Sequence, residues 1–414
     1  MSRIAVIGAG QAGLVFSHKL LAAGFDVTLY SERTPEQWLR CCAPTGTAFL
    51  YEDVIQIERD LALDYWSEKM HAGHGVLMDY CQAPGRQPLQ IRGHFSGTGG
   101  AVDQRLKIHR WLHDFIDRGG SLMTENVTPE RLDEISQSAE LTVLATGKAQ
   151  LSRIIPRDNE RSVYHEPQRN LAMAIVDGVK GWGERVDFTP VKFTFLHAMG
   201  EYFAVPFTHK TAGNTWSILI EARPGSALDR FMHCSSGPQV VEEMRAFIQE
   251  YAPWDYAAVK HMRYVENDDF AWLKGRFPPT IRCPFGKLES GRPIMPIGDS
   301  AMLFDPIGGQ GGNNATRNAL YMAEAVIARG ADFDEDWMTA VNQNYWDRTG
   351  EVAYRFNNML LEPMTEAGEL LLQQAAADSG FASRYFTGNF PSPGRFFPWV
   401  EDVSAVKNLA ACQV

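Results

Sequence analysis

Arg3-Ile4-Ala5-Val6-Ile7 followed by Gly8-Ala9-Gly10-Gln11-Ala12-Gly13 sets an apolar run of strand length directly before a Gly-x-Gly-x-x-Gly turn. The residues after it carry a helical pattern to about Ala23, and Gly24 supplies the left-handed residue that closes a helix. Asp26–Tyr30 then reads as a second strand. A strand–turn–helix–strand unit of about 30 residues is the context a dinucleotide site requires. In such a unit Gly8 permits the tight turn, Gly10 lets a pyrophosphate approach the main chain, and Gly13 lets helix and strand pack closely. Gln11 and Ala12 open the helix, where unpaired N–H groups attract anions. An acid about 20 residues on binds the ribose. Glu32 falls at that distance, Ser31 is the alternative, and Arg33 adjoins both.

Working outward, Leu141–Ala145 is a continuous apolar strand opening into Thr146-Gly147-Lys148. Ile294–Ile297 is another, running into Gly298-Asp299-Ser300. Asp305-Pro306-Ile307-Gly308-Gly309-Gln310-Gly311-Gly312-Asn313-Asn314-Ala315 follows, and an Ala-rich helix spans about Asn313 to Arg329. A glycine run feeding a helix aims several N–H donors at one point. The nucleotide domain is therefore expected to be discontinuous, from residues 1–165 and 285–335. Between them, Val191–His197, Glu201–Phe207 and Thr215–Ala222 alternate or run apolar, which predicts an antiparallel meander in a second domain over 166–284. Met338, Val341, Tyr345, Val352, Phe356 and Met359 have helical spacing in a C-terminal segment over 336–414. Phe390–Trp399, rich in Pro and aromatics, is expected to be extended along the surface.

The GxGxxG turn, the later Gly298-Asp299 and the DPxxGQG-like stretch together resemble the large family of FAD monooxygenases. The resemblance implies an α/β fold: a Rossmann-type FAD-binding domain (glutathione-reductase-like, hydroxylase type) with an interleaved antiparallel-sheet substrate domain and C-terminal helices. It implies that Asp299 binds the FAD ribose, and that Ala145, Thr146 and Gly147 pass close to the cofactor. Pro306, Gly309, Gln310, Gly311, Gly312 and Asn313 would then meet the flavin pyrimidine edge, where a helix N-terminus favours the anionic reduced form.

GAGQAGL, Val102–Arg105 (VDQR), Ala145–Lys148 (ATGK), Glu166–Arg169 (EPQR), DPIGGQGGNNA and Phe386–Phe390 resemble, more narrowly, the oxygenase component of two-component styrene and indole monooxygenases. This implies FAD delivered already reduced by a separate NADH-dependent flavin reductase, with O2 as co-substrate. An FAD C4a-(hydro)peroxide would epoxidise a small apolar aromatic alkene such as styrene or indole, or oxidise a sulfide. The cofactor carries such chemistry, so no side chain is assigned as acid or base. Gln104 and Arg105 are implied to lie near the FAD. The loop Cys41–Ala48 departs from the polar loop of the family, with Arg40 and Thr47 as its contributors. Substrate walls are expected from the meander, at His197, Tyr202, Phe203 and Val205.

Two alternatives stay open. One is a single-component NAD(P)H-dependent aromatic hydroxylase; the other is a non-redox FAD-binding protein. Against the first, no Asp-Gly pair follows the ATG element before Glu166, and Asp177-Gly178 lacks the expected flanks. The WxWxIP segment of flavin halogenases is missing too, since Phe397-Pro398-Trp399 does not match it. The net charge of −11 argues against nucleic acid. No apolar run approaches the ~18 residues of a membrane span, and the first strand begins almost at Met1, so a cytoplasmic protein is expected. Six cysteines without CxxC spacing point to free thiols rather than disulfides or a metal. A homodimer is compatible with these features.

Overall fold

β1 (Arg3–Ile7) is almost wholly buried because strands flank it on both sides. The computed structural model describes residues 2–83, 87–147 and 150–411; Lys148 and Cys412 lie outside them. From β1 the chain forms α1 (Gln11–Ala22), β2 (Asp26–Ser31), α2 (Pro35–Arg40), β3 (Leu50–Tyr51) and α3 (Glu52–Asp60). Then come β4 (Ala72–Cys81), β5 (Leu89–Val102), α4 (Gln104–Asp117), β6 (Ser121–Thr124), α5 (Pro129–Ser138) and β7 (Leu141–Leu144). β8 (Asn170–Asp177), β9 (Pro190–Leu196), β10 (Gly200–His209) and β11 (Gly213–Ala222) precede α6 (Gly237–Tyr251) and α7 (Pro253–Val259). Short strands β12 (Arg263–Tyr264), β13 (Trp272–Gly275), β14 (Thr280–Ile281) and β15 (Gly286–Lys287) lead to β16 (Pro293–Pro296) and β17 (Met302–Leu303). The long α8 (Gly311–Arg329) and then α9 (Glu335–Tyr345), α10 (Glu351–Leu361) and α11 (Glu366–Ala377) follow.

Two sheets organise these elements. The first has six strands in the order β15-β16-β7-β1-β2-β6, parallel except for the β15–β16 hairpin. Parallel neighbours need long crossovers, and here β16 returns from far along the chain to join β7. This is the discontinuous α/β fold that the sequence predicts. α1 packs on both α8 and α4, over a core that includes Val6, Leu14, Phe16, Trp111, Met322 and Val326.

The second sheet runs β12-β8-β11-β10-β9-β4-β5-β3, with β13 also paired to β8. β8 to β11 form the expected antiparallel meander. Beside it, however, β4 pairs with β9 in parallel, so β3, β4 and β5 draw residues before 165 into the substrate-side sheet. The expected division at 165/166 therefore cuts through one sheet. A second correction concerns Phe390–Trp399. It is not laid along the surface: Phe390 and Phe396 are buried and contact Phe356 and Phe386. Among the described residues no helix is long and apolar enough to cross a membrane.

Candidate active site

A cleft of about 1590 Å³ is lined by the ends of the parallel strands on one side and by the large sheet on the other. Ligand pockets commonly run to roughly 300–1,000 Å³, so a dinucleotide and a second small molecule fit together. The N-termini of α1 and α8 both open onto it. Neither has a side-chain cap or an acidic residue in its first turn. Their N–H groups are thus left for an anion.

The three fingerprint glycines differ in their surroundings. Gly8 has φ +115°, and a Cβ there would lie 2.4 Å from the Ala145 carbonyl oxygen. A Cβ on Gly13 would fall 2.0 Å from the Gly8 carbonyl oxygen. Gly10 has nothing within 4 Å of its would-be Cβ, and it faces the cleft. Two glycines let the backbone close on itself; the third leaves a cradle.

Most expected cofactor residues meet here. Gln11, Ala12, Glu32, Arg33, Gln104, Ala145, Thr146, Gly147 and Asp299 line the cleft with Pro306, Gly309, Gly311 and Gly312. Gly147 N–H donates to Ser300 Oγ at 2.9 Å, and Gly298 N–H to Asn318 Oδ1 at 2.8 Å. The first ties the end of β7 to the turn after β16, and the second ties that turn to α8. Ser31 and Glu32 differ in their surroundings: the Trp38 indole N–H donates to Ser31 Oγ at 2.9 Å. Ser31 is thereby turned inward, and Glu32, paired with Arg33, faces the cleft.

Several residues stand behind the wall or away from it. Gln310 donates to Phe390 O at 2.9 Å. Asn313 donates to Phe49 O at 2.8 Å and accepts from Tyr51 N–H at 3.0 Å. Both hold α8 against its surroundings rather than line the cleft. Arg105 is a clear correction: its fully buried guanidinium pairs with Asp103 and Asp268, each at 2.7 Å. Burial alone would raise the Asp268 pKa, but hydrogen bonds from His209 and Arg105 hold it well below the usual carboxylate range. Arg40 is exposed and does not line the cleft. His197 is exposed at the β9–β10 turn, also off the cleft. Tyr202 faces the opposite side of its sheet, bonded to Asp255.

The apolar wall comes from strand register. Leu273, Met173, Leu219, Phe203 and Phe193 are successive partners across five strands, and all line the cleft. Val205 is opposite Ser217 in the adjoining row. Ser217 Oγ donates to Thr47 Oγ1 at 2.9 Å, a polar spot in an otherwise apolar surface. Thr47, Phe203 and Val205 are thus brought together. Met173, Phe193 and Leu219 were not singled out from the sequence, although the alternation of their strands carried the signal.

Beyond this wall lies a buried carboxyl cluster. Glu201 and Glu221 are direct cross-strand partners. Arg169, the last residue of EPQR, ion-pairs with Glu201 at 2.5 Å. Burial pushes Glu201 up to about 7 against the pull of Arg169. Glu221 is raised further by burial and by Asp305, the residue opening the glycine stretch.

FAD fits these residues. Gly10 provides a cradle, two helix N-termini share the cleft, and the buried Oε1 atoms of Gln11 and Gln104 have no hydrogen-bond partner among the described residues. Comparisons with known proteins agree. Residues 147–257 match the family model of the styrene monooxygenase A substrate binding domain. Styrene monooxygenase StyA of Pseudomonas fluorescens is 26% identical over 403 residues, covering 95% of this chain and 94% of that protein. The halogenase PltM, solved as a variant with FAD, superposes with a TM-score of 0.67 at 12% identity, over 100% of this chain and 92% of its own. A variant of the flavin-dependent brominase Bmp2 gives 0.66 at 13%, over 100% and 98%. At such identities the two structures speak for the fold alone. StyA is similar to this chain over nearly the whole length and the dinucleotide cradle is in place, so the chain resembles the styrene-monooxygenase type of flavoprotein monooxygenase.

Proposed function

We propose that the chain is the oxygenase component of a two-component system that epoxidises an electron-rich aromatic alkene such as styrene or indole. The observation that carries this reading is the joining of two helix N-termini and an unbroken apolar wall in one cleft. When bound, reduced FAD would supply two electrons, with which O2 and two protons give one oxygen atom to the alkene and one to water. The chain's residues hold and shield. Gly10 and the first turn of α1 receive the pyrophosphate, Glu32 and Asp299 the ribose-bearing parts, and Gly311 and Gly312 the pyrimidine edge. Phe193, Phe203 and Leu219 exclude water, which strengthens every polar contact inside. Thr47 and Ser217 offer one polar contact to orient a substrate on that wall.

Delivery of FAD already reduced is supported by the position of Asp177-Gly178. It ends β8 beside a separate cavity and does not line the cleft, so it does not serve as a joint FAD and nicotinamide motif there. The test is oxygenation of styrene and indole in aerobic mixtures of the chain, FAD, NADH and catalase, with and without an unrelated flavin reductase. Product only with the reductase is expected. Product without it moves the chain to the single-component class, and no product with reduced flavin still consumed removes the alkene from the proposal.

A further inference from the structure

Glu36, His109 and His113 meet outside the cleft, where α2 packs on α4. The two histidines are four residues apart on α4, so they share one helix face. Their rings are 4.8 Å apart between centroids and nearly perpendicular. Glu36 reaches them from α2, with Oε1 3.1 Å from His113 Nε2. One ligand-capable atom from each of the three lies within 4.8 Å of the others.

Neither helix is loosely held. A reciprocal capping box between Thr34 and Gln37 fixes the start of α2, and buried Trp38 anchors its other face. Trp111 and Phe115 bury the inner face of α4. The carriers of all three donors are therefore packed, while the donors remain reachable from solvent. Two imidazoles and one carboxylate suit zinc, nickel or copper, with a water completing four-coordination. Calcium and magnesium prefer all-oxygen shells.

We propose that Glu36, His109 and His113 form a binding site for a divalent cation of the zinc–copper class, which would pin α2 to α4. Ligation requires neutral imidazole. Arg40 and Arg110 also face His109. Both are exposed side chains that can swing to solvent, and the Glu36 charge offsets part of their repulsion. The consequence reaches the cleft without touching its contents. α2 runs straight into the loop of residues 41–48, most of which line the cleft, and α4 begins at Gln104, which lines it too. A bound ion braces both.

The test uses the full chain, stripped with EDTA, dialysed and titrated with zinc chloride by calorimetry. One equivalent is expected, with a zinc-dependent rise in Tm that EDTA reverses. The His109→Ala/His113→Ala variant should lose at least about tenfold in affinity while keeping its circular dichroism spectrum and FAD binding. Cobalt should give visible ligand-field bands without thiolate charge-transfer absorption. Absence of zinc binding overturns the proposal. So does unchanged affinity in the double histidine variant, or a thiolate band removed by Cys41→Ser, which would locate the metal on the adjacent exposed thiol.

Discussion

Gly10 and Gly13 belong to one turn, yet substitution should separate them cleanly. A Cβ at Gly10 enters open space above the cleft floor, and the residue has the extended φ of −79°. Gly10→Ala should leave stability within about 0.5 kcal/mol while weakening FAD about tenfold or more, near 1.4 kcal/mol. Gly13→Ala drives a methyl group into the Gly8 carbonyl, a backbone atom that cannot step aside. It should unfold at lower denaturant, with Cm falling before cofactor is added. Urea melts and FAD titration by fluorescence distinguish the two, and equal loss of stability in both variants would contradict the cradle at Gly10. This much was legible in the sequence because a glycine turn is set by local backbone geometry. The difference between Ser31 and Glu32 was not, since it depends on where the Trp38 indole lands once α2 has folded. Arg105 was read toward the cofactor because Asp268 and His209, which hold it, come from distant parts of the chain.

Strands β10 and β11 set two carboxyls face to face, and the pH dependence of stability follows from that register. Glu221 is buried, and Glu201, Asp305 and Arg169 surround it. Burial, Asp305 and Glu201 all raise the Glu221 pKa, and Arg169 is the one charge that opposes them. A carboxyl whose pKa is raised on folding stabilises most below its unfolded value, near 4.5, and that contribution fades as pH rises through the folded value. Wild-type stability should accordingly fall from about pH 5 towards pH 8, since burial pushes Glu201 up to about 7 and raises Glu221 as well. Glu221→Gln keeps an N–H donor for Asp305 without an acid to ionise. It should flatten the fall and add on the order of 1–2 kcal/mol at pH 8. A variant whose melting temperature tracks the wild type at every pH would show that the proton sits elsewhere. The meander itself was legible, because alternation over β9 to β11 is a period-two signal. β4 and β5 were not: their place beside β9 is a long-range pairing that no local pattern reports. The Phe390 segment misled for a related reason, as its prolines suggest exposure while its aromatics fill a cavity made by α10.

The chain as a whole carries a charge of −11, whereas FAD is an anion that must enter it. Arg153 and Arg276 are exposed side chains lining the cleft, and Arg153 belongs to a cationic group with Arg157 and Arg282. A local positive mouth on a negative molecule focuses an anionic ligand toward the opening and raises its association rate by about 10–10³-fold in favourable cases. Reversing both charges, Arg153→Glu with Arg276→Glu, should slow FAD association about tenfold at low ionic strength. Since the Debye length falls from about 30 Å at 0.01 M salt to about 3 Å at 1 M, the gap between variant and wild type should narrow steeply as salt is added. Dissociation should change less, because neither arginine belongs to the Gly10 cradle. Stopped-flow quenching of FAD fluorescence across a salt series measures both rates. Equal association rates at low salt would mean that the helix N-termini alone draw the cofactor in. A slowdown that persists undiminished at 1 M would instead make the arginines direct contacts of the bound diphosphate, and the steering argument would fail.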